Sequence, residues 1–231
     1  MYLSLLILAV AIASLSVSAA SKAPQITPAT TPMEQPKIVA AGGSGIKGAL
    51  IIDNFSDPVK PREWWYFDGI KTKQVENKTG DSALGKYYLN VSGKAKNWYV
   101  GGMGTYLGED AGKYTNFSMY IEGHGEGSGI VKVELFEDDN GNTEVEQDKS
   151  FNPLYDDRWA YEIKVDWDGW QRVSVPFSDF TDINPKAGDN VWNPNKRKGS
   201  GGLLHVQIVY VGGSVDGAVD FNVANIGLTK E

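Results

Sequence analysis

The sequence predicts an all-β sandwich of about nine strands in two antiparallel sheets, and three observations carry that expectation. Segments of alternating apolar and polar residues follow one another at short intervals, the signature of half-buried strands. Clusters rich in Gly, Asn and Asp, such as 123–129, Asp138-Asp139-Asn140-Gly141 and Gly212-Gly213-Ser214, separate them as turns. No run of twelve residues carries the apolar stripe of an amphipathic helix. The composition agrees, with 27 Gly, seven Trp, eleven Tyr and eight Phe among 231 residues.

Residues 2–20 form an uncharged apolar run that ends in small residues. With Val17-Ser18-Ala19 or Ser18-Ala19-Ala20 as cleavage site, 1–20 is a secretory signal and the mature chain is secreted, periplasmic or displayed at the cell surface. The run also approaches the length of a membrane anchor, and no Lys or Arg precedes it. Residues 21–48 read as a linker. Pro24, Pro28, Pro32 and Pro36 recur every four residues and make a stiff spacer, and Ala40-Ala41-Gly42-Gly43-Ser44-Gly45 makes a flexible one.

The folded domain is expected over 49–231, with strands at 49–54, 86–92, 98–106, 116–122, 130–136, 159–165, 170–175, 203–211 and 218–228. In three of them the parity is clear. Tyr87, Leu89 and Val91, then Phe117, Met119 and Ile121, then Val131, Val133 and Leu135 form the core-facing sets. Their neighbours face outward, which places Tyr88 and Tyr120 on a wet aromatic surface. In 167–180 a turn at Asp168-Gly169 leads into a strand that Pro176 ends by lacking a backbone donor. Trp170, Val173, Val175, Phe177 and Phe180 are expected to lock the sandwich there. The segment 181–202 is longer than an ordinary connection and is expected to be functional.

Several chemistries are excluded. The net charge of −7, with no basic block, argues against nucleic acid and anionic membrane surfaces as partners. The chain has no Cys and only two His, which removes thiolate sites and His-rich metal centres. No nucleophile elbow, phosphate-binding loop, zinc-protease or dinucleotide pattern is present, so an enzyme is not expected. Asp138-Asp139 reads as a tight turn and His124 as a solvated turn residue. His205 faces away from Val206 and Ile208, as a surface or ligand-contacting imidazole.

The aromatic residues carry the stronger signal. Trp64-Trp65-Tyr66-Phe67 is a dense cluster, and Trp98-Tyr99 opens a strand. Sugar rings stack their C–H faces on Trp and Tyr while their hydroxyls reach nearby polar groups, so such platforms suit polysaccharide binding. The plainer reading of any one ring is a place in the core.

In their order, these motifs resemble family 11 carbohydrate-binding modules and, more distantly, complex I intermediate-associated proteins of the same fold. Leu50-Ile51-Ile52-Asp53-Asn54-Phe55, Trp64–Gly69, Trp98-Tyr99-Val100-Gly101, Arg158-Trp159-Ala160-Tyr161, Trp170–Phe180 and Phe221–Ile226 are similar to successive family motifs over most of 50–228. The resemblance implies a jelly-roll β-sandwich of the galactose-binding-domain type, whose concave sheet holds β-glucan chains without cleaving them. It places ligand aromatics at Phe67, Trp98 and Tyr210, the family's His at Gln207, and its acidic contact at Asp156 or Asp157. Its Arg contact falls on Thr181-Asp182. Trp64, Tyr88, Tyr120 and His205 are further candidate surface contacts. A structural calcium, also implied by the resemblance, would take oxygen ligands at Asp53, with Ala224 standing where the family has an Asp. The function expected is a secreted, non-catalytic β-glucan-binding module. The alternative is a cell-envelope, sheath or filament protein that uses the fold for self-assembly or for a cell-surface protein partner.

Overall fold

The structure, a computed structural model, describes residues 37–40, 48–56 and 61–231. The expectations for 1–20 and for most of 21–48 lie outside them. The strands are β1 (Lys37–Ala40), β2 (Leu50–Asp53), β3 (Trp65–Asp68), β4 (Lys71–Glu76), β5 (Tyr87–Lys94), β6 (Tyr99–Glu109) and β7 (Asn116–His124). They continue with β8 (Gly129–Glu137), β9 (Arg158–Val165), β10 (Asp168–Pro176), β11 (Thr181–Asp182), β12 (Leu203–Val211) and β13 (Ala218–Thr229). Two single-turn 3₁₀ helices, Ser82–Leu84 and Phe177–Asp179, complete the elements.

Two antiparallel sheets result, as the alternation predicts. One has seven strands in the order β1-β10-β7-β13-β5-β4, with β2 also paired to β13; the other has six in the order β11-β9-β8-β12-β6-β3. All nine predicted strands are present within a few residues of their expected bounds. The count exceeds nine because β1, β3, β4 and β11 are added; these four end the two strand orders, and β2 is a further strand with a single partner, β13. Within the stretch expected to stay outside the fold, Lys37–Ala40 pairs with Gln171–Ser174 of β10. The β-branched pair Ile38-Val39 suits that edge position.

The core lies between the sheets. Leu89, Val91, Phe117, Met119, Ile121, Val173 and Val175 meet Val131, Val133, Leu135, Ile163, Val206 and Ile208 there. The assigned parities therefore place the right residues inside. Full burial of one such aliphatic side chain contributes roughly 1.5–3 kcal/mol. Phe177 and Phe180 join this core, but Trp170 does not. It sits opposite Glu122 on the other side of the seven-stranded sheet, where its ring meets Tyr88 edge-on at 5.3 Å.

That outer side is capped rather than wet. The turn Ser82–Leu84, held by Asp81 accepting from the Ala83 N–H at 2.8 Å, lays Ala83 and Leu84 on Tyr120 and Ala224. Asn225, in the left-handed region at φ 45°, donates its side-chain amide to the Ala83 carbonyl and fixes the cap. Tyr120 is consequently only 7% exposed, which corrects the expectation that it lines a surface.

Candidate functional site

The outer face of the six-stranded sheet exposes Trp65 and Tyr106, and the register shows what else that face carries. One cross-strand row runs Trp65, Gly104, Gln207, Glu134, Ala160, Thr181. The next runs Phe67, Gly102, Val209, Lys132, Glu162. A third runs Tyr106, His205, Phe136, Arg158. With neighbouring strands about 4.8 Å apart, the six-strand row is roughly 24 Å long, an extended surface suited to a chain-like ligand.

Glycine makes the aromatic half of this surface. A Cβ at Gly102 would overlap the Phe67 ring, and one at Gly104 would overlap Trp65. Both rings therefore lie down over β6 where any other residue would lift them. Trp65 keeps 38% and Tyr106 48% of its surface exposed. His205 is the hub, with ring centroids 5.1 Å from Trp65 and 5.8 Å from both Tyr106 and Phe136.

The polar half contains two buried nitrogen atoms without hydrogen-bond partners. His205 Nδ1 and Arg158 Nε have no partner, and the Arg158 guanidinium stands 6.0 Å from the Phe136 ring. Lys132 Nζ pairs with Glu134 Oε1 at 2.8 Å, and Gln207 stands across from Glu134. At the end of the sheet, Tyr99 donates its hydroxyl to Asp68 Oδ2 at 2.5 Å. Aromatic faces beside amide, imidazole and guanidinium groups can stack apolar faces while exchanging hydrogen bonds with hydroxyls.

Burial among the three rings pushes the His205 imidazole down to about 4, so it is neutral at pH 7. Its folded value lies below the unfolded value near 6.5, so the unfolded chain binds the extra proton first. The contribution of neutral His205 is thus complete above about pH 6.5 and is lost as pH falls towards 4. We expect wild type to lose roughly 1–3 kcal/mol relative to His205→Gln across that window. Denaturant titrations of both proteins at several pH values check this, and a pH-independent difference refutes it.

The residues expected to bind ligand fall in different places. Phe67, Gln207 and His205 share the outer face. Tyr210 does not: it is wholly buried in the core, stacked on Phe221 with centroids 6.0 Å apart. Its parity is that of Val206 and Ile208, opposite to Gln207. Trp98 is exposed at the bend before β6, in the left-handed region at φ 72°. Trp64 packs partly against the core and donates its indole N–H to Asp53 Oδ2 at 2.7 Å. Tyr88 belongs to the opposite sheet, beside Trp170.

Asp156 and Asp157 are fully buried at the end of β8 and β9, not on the outer face, and Asp182 lies half-buried near them. They cannot meet a ligand lying on that face. Asp53 uses its other oxygen to accept from the Phe55 N–H at 2.7 Å, and Ala224 is a buried methyl group. Among the described residues, no group of three or more His, Cys, Asp or Glu side chains gathers around Asp53.

Sequence reasoning missed Tyr106 and named Trp65 and Arg158 only as members of longer motifs, while Phe136 supports His205 from a buried position. The spacing Gly102-Met103-Gly104 was an available signal, because two glycines of one parity in a strand mark a close approach. A hollow of about 610 Å³ beside β2, β3 and β4, lined by Asp53, Arg62, Trp64 and Gln74, opens elsewhere. An extended ligand needs a surface more than a hollow, and the outer face of the six-stranded sheet is the stronger candidate.

No family model and no curated protein matches the sequence. Among solved structures, the chain is similar to the family 11 carbohydrate-binding module of the cellulosomal cellulase Lic26A-Cel5E of Clostridium thermocellum. The identity is 21%, covering 81% of this chain and 97% of that one, with a TM-score of 0.53. It is also similar to the Clostridium thermocellum family 11 module in complex with a β-1,3-1,4-mixed-linked tetrasaccharide, at 21% identity, 79% and 95% coverage, and TM-score 0.52. The solution structure of CtCBM11 matches at 18% identity, 80% and 96% coverage, and TM-score 0.50. At these identities the likeness is one of fold: an all-β sandwich of two antiparallel sheets.

Proposed function

We propose that this protein is a non-catalytic carbohydrate-binding module that holds a β-glucan-type polysaccharide on the outer face of its six-stranded sheet. One observation carries the reading: Trp65 and Phe67 lie flat over Gly104 and Gly102, on the same face as the polar side chains of His205, Gln207 and Arg158. The rings supply stacking area, and the polar groups supply donors and acceptors for hydroxyls. The mixed-linkage tetrasaccharide named with one structural neighbour supports the substrate class. The apolar run at 2–20 supports export of the mature domain to where such polymers occur.

Affinity electrophoresis of the folded domain through gels containing lichenan, xyloglucan or soluble cellulose derivatives tests this. Retardation on at least one glucan is the expected result. Migration unchanged on all of them refutes the reading.

A second reading rests on a different surface. Phe151, Leu154 and Tyr155 are 75%, 46% and 54% exposed in the loop between β8 and β9, with Val191 also exposed at 55%. Such exposed apolar groups suit contacts between copies of an envelope or filament protein. Sedimentation of a strict monomer at high concentration counts against it.

A further inference from the structure

The hollow beside β2, β3 and β4 is a gap between the two sheets, and its walls are not those of a core. Tyr66 stands across from Met103, a core residue, yet it keeps 49% of its surface exposed. On the facing sheet, Thr72 and Gln74 stand across from Val91 and Leu89, which are core residues as well. Residues directly opposite in an antiparallel pair share a face, so Tyr66, Thr72 and Gln74 all point between the sheets. Inward positions of a sandwich ordinarily build the apolar core. Here they border a space of about 610 Å³ whose lining also includes Asn54, Arg62 and Trp64.

The polar side chains of this wall are each tied at one atom and open at another. Arg62 donates Nε to the Ile52 carbonyl and Nη1 to the Tyr106 carbonyl at 3.2 Å, which leaves Nη2. Gln74 donates its amide to the Phe55 carbonyl and keeps Oε1. Asn54 Oδ1 accepts from the Ser56 N–H at 3.0 Å, which leaves the amide nitrogen. Among the described residues no hydrogen bond reaches these three remaining atoms. Trp64 spends its indole N–H on Asp53 Oδ2 at 2.7 Å, so it offers the hollow ring surface and no donor. A side chain already fixed by one bond meets a ligand with little further loss of rotamer freedom.

We propose that this gap is a second saccharide site, which takes the end of a sugar chain rather than its length. A pyranose presents apolar C–H faces and a ring of hydroxyls that donate and accept at once. The wall answers with the rings of Trp64 and Tyr66, donors on Arg62 and Asn54, and an acceptor on Gln74. A wholly apolar ligand would leave those groups unpaired, at about 1–3 kcal/mol each. An anion would meet Arg62, but Asp53 and Glu63 line the same hollow and outweigh it. The volume lies within the roughly 300–1,000 Å³ of small-molecule sites, which limits the occupant to a short segment. Strand β3 serves both sites, with Trp65 and Phe67 on the outer face and Tyr66 between them turned into the gap. The sugar class rests on the reading of that outer face, while the gap takes none of its residues.

The test is a titration of the ¹⁵N-labelled full chain with cellobiose, read on the indole N–H signals of Trp64 and Trp65. Spectra of Trp64→Phe and Trp65→Phe assign the two signals. Cellobiose should shift the Trp64 signal saturably. Tyr66→Ala should weaken that binding at least about tenfold with an unchanged far-UV spectrum. Gln74→Leu, which keeps the side-chain bulk and removes the amide, should weaken it severalfold and decides the matter if Tyr66→Ala does not fold. Inorganic phosphate should leave the signal in place, and a saturable phosphate shift overturns the choice of a neutral ligand. Cellobiose that moves Trp65 and not Trp64 belongs to the outer face and overturns the second site, as does the absence of any saturable shift. Retardation of the wild type in lichenan gels reads the outer face alone, so the two sites fail separately.

Discussion

Replacing Trp65 and Phe67 together with alanine should weaken glucan binding at least a hundredfold while leaving the fold intact. Each ring lies flat on β6 with its partner glycine beneath it. Aromatic anchors at the centre of an interface typically cost about 2 kcal/mol or more on truncation. Two such losses correspond to about a thousandfold, and non-additivity lowers this to the hundredfold stated. The stability cost is small for a reason of position. Trp65 and Phe67 are on an edge strand, outside the apolar cluster between the sheets, and Trp65 is already 38% exposed. The unfolding midpoint should therefore move by no more than a few degrees. A paired control, Tyr88→Phe on the opposite sheet, should bind as wild type. Retardation in glucan gels reads the first quantity and a thermal melt the second. Full retardation of the double variant would move the site off this face.

The same pair shows what was legible in the sequence and what was not. Every interior strand was visible because burial on one face imposes strict alternation, as in Phe117, Met119 and Ile121. The four missed strands end the two strand orders, each with a single partner; β2, which also has one partner, was read from its apolar run. An edge strand has one ladder and little to bury: β4 reads Lys-Thr-Lys-Gln-Val-Glu with no buried residue, and β11 is only two residues long. Edges are kept short and polar, so their pattern cannot be told from a loop. Trp65 and Phe67 sit on such an edge, which is why the site's aromatic half was only partly read. The polar half was read better. Opposite parity turned His205 away from Val206 and Ile208, the resemblance named Gln207, and both stand outside the core. The acids were the hardest case. Asp139 and Asp157 are 18 residues apart in sequence and meet through an Asp157 N–H donated to Asp139 Oδ2. Nothing in local composition reports that the two ends of the β8–β9 connection meet.

Tyr210 is where resemblance and strand geometry disagree, and it supports the second large effect. Tyr210→Ala should destabilise the protein by about 3–5 kcal/mol, the cost of removing a large buried aromatic and leaving a cavity. For a domain of this size that is a fall of roughly 10 °C in the thermal midpoint. Tyr210→Phe should behave in the opposite way. The hydroxyl is buried without a partner and its ring stacks on Phe221, so deleting the oxygen relieves an unpaired polar group while keeping the packing. The variant should match or exceed wild-type stability by up to about 1 kcal/mol and bind glucan unchanged. Residues three apart on a regular strand face opposite ways, so Gln207 and Tyr210 cannot both touch one ligand unless a bulge separates them. The register shifts in β12 fall at Leu203/His205 and Tyr210/Val211, outside that interval. Unfolding curves of the two variants beside their retardation in glucan gels decide the matter. Weaker glucan binding by a fully folded Tyr210→Phe would restore Tyr210 to the site and require β12 to turn its other side outward.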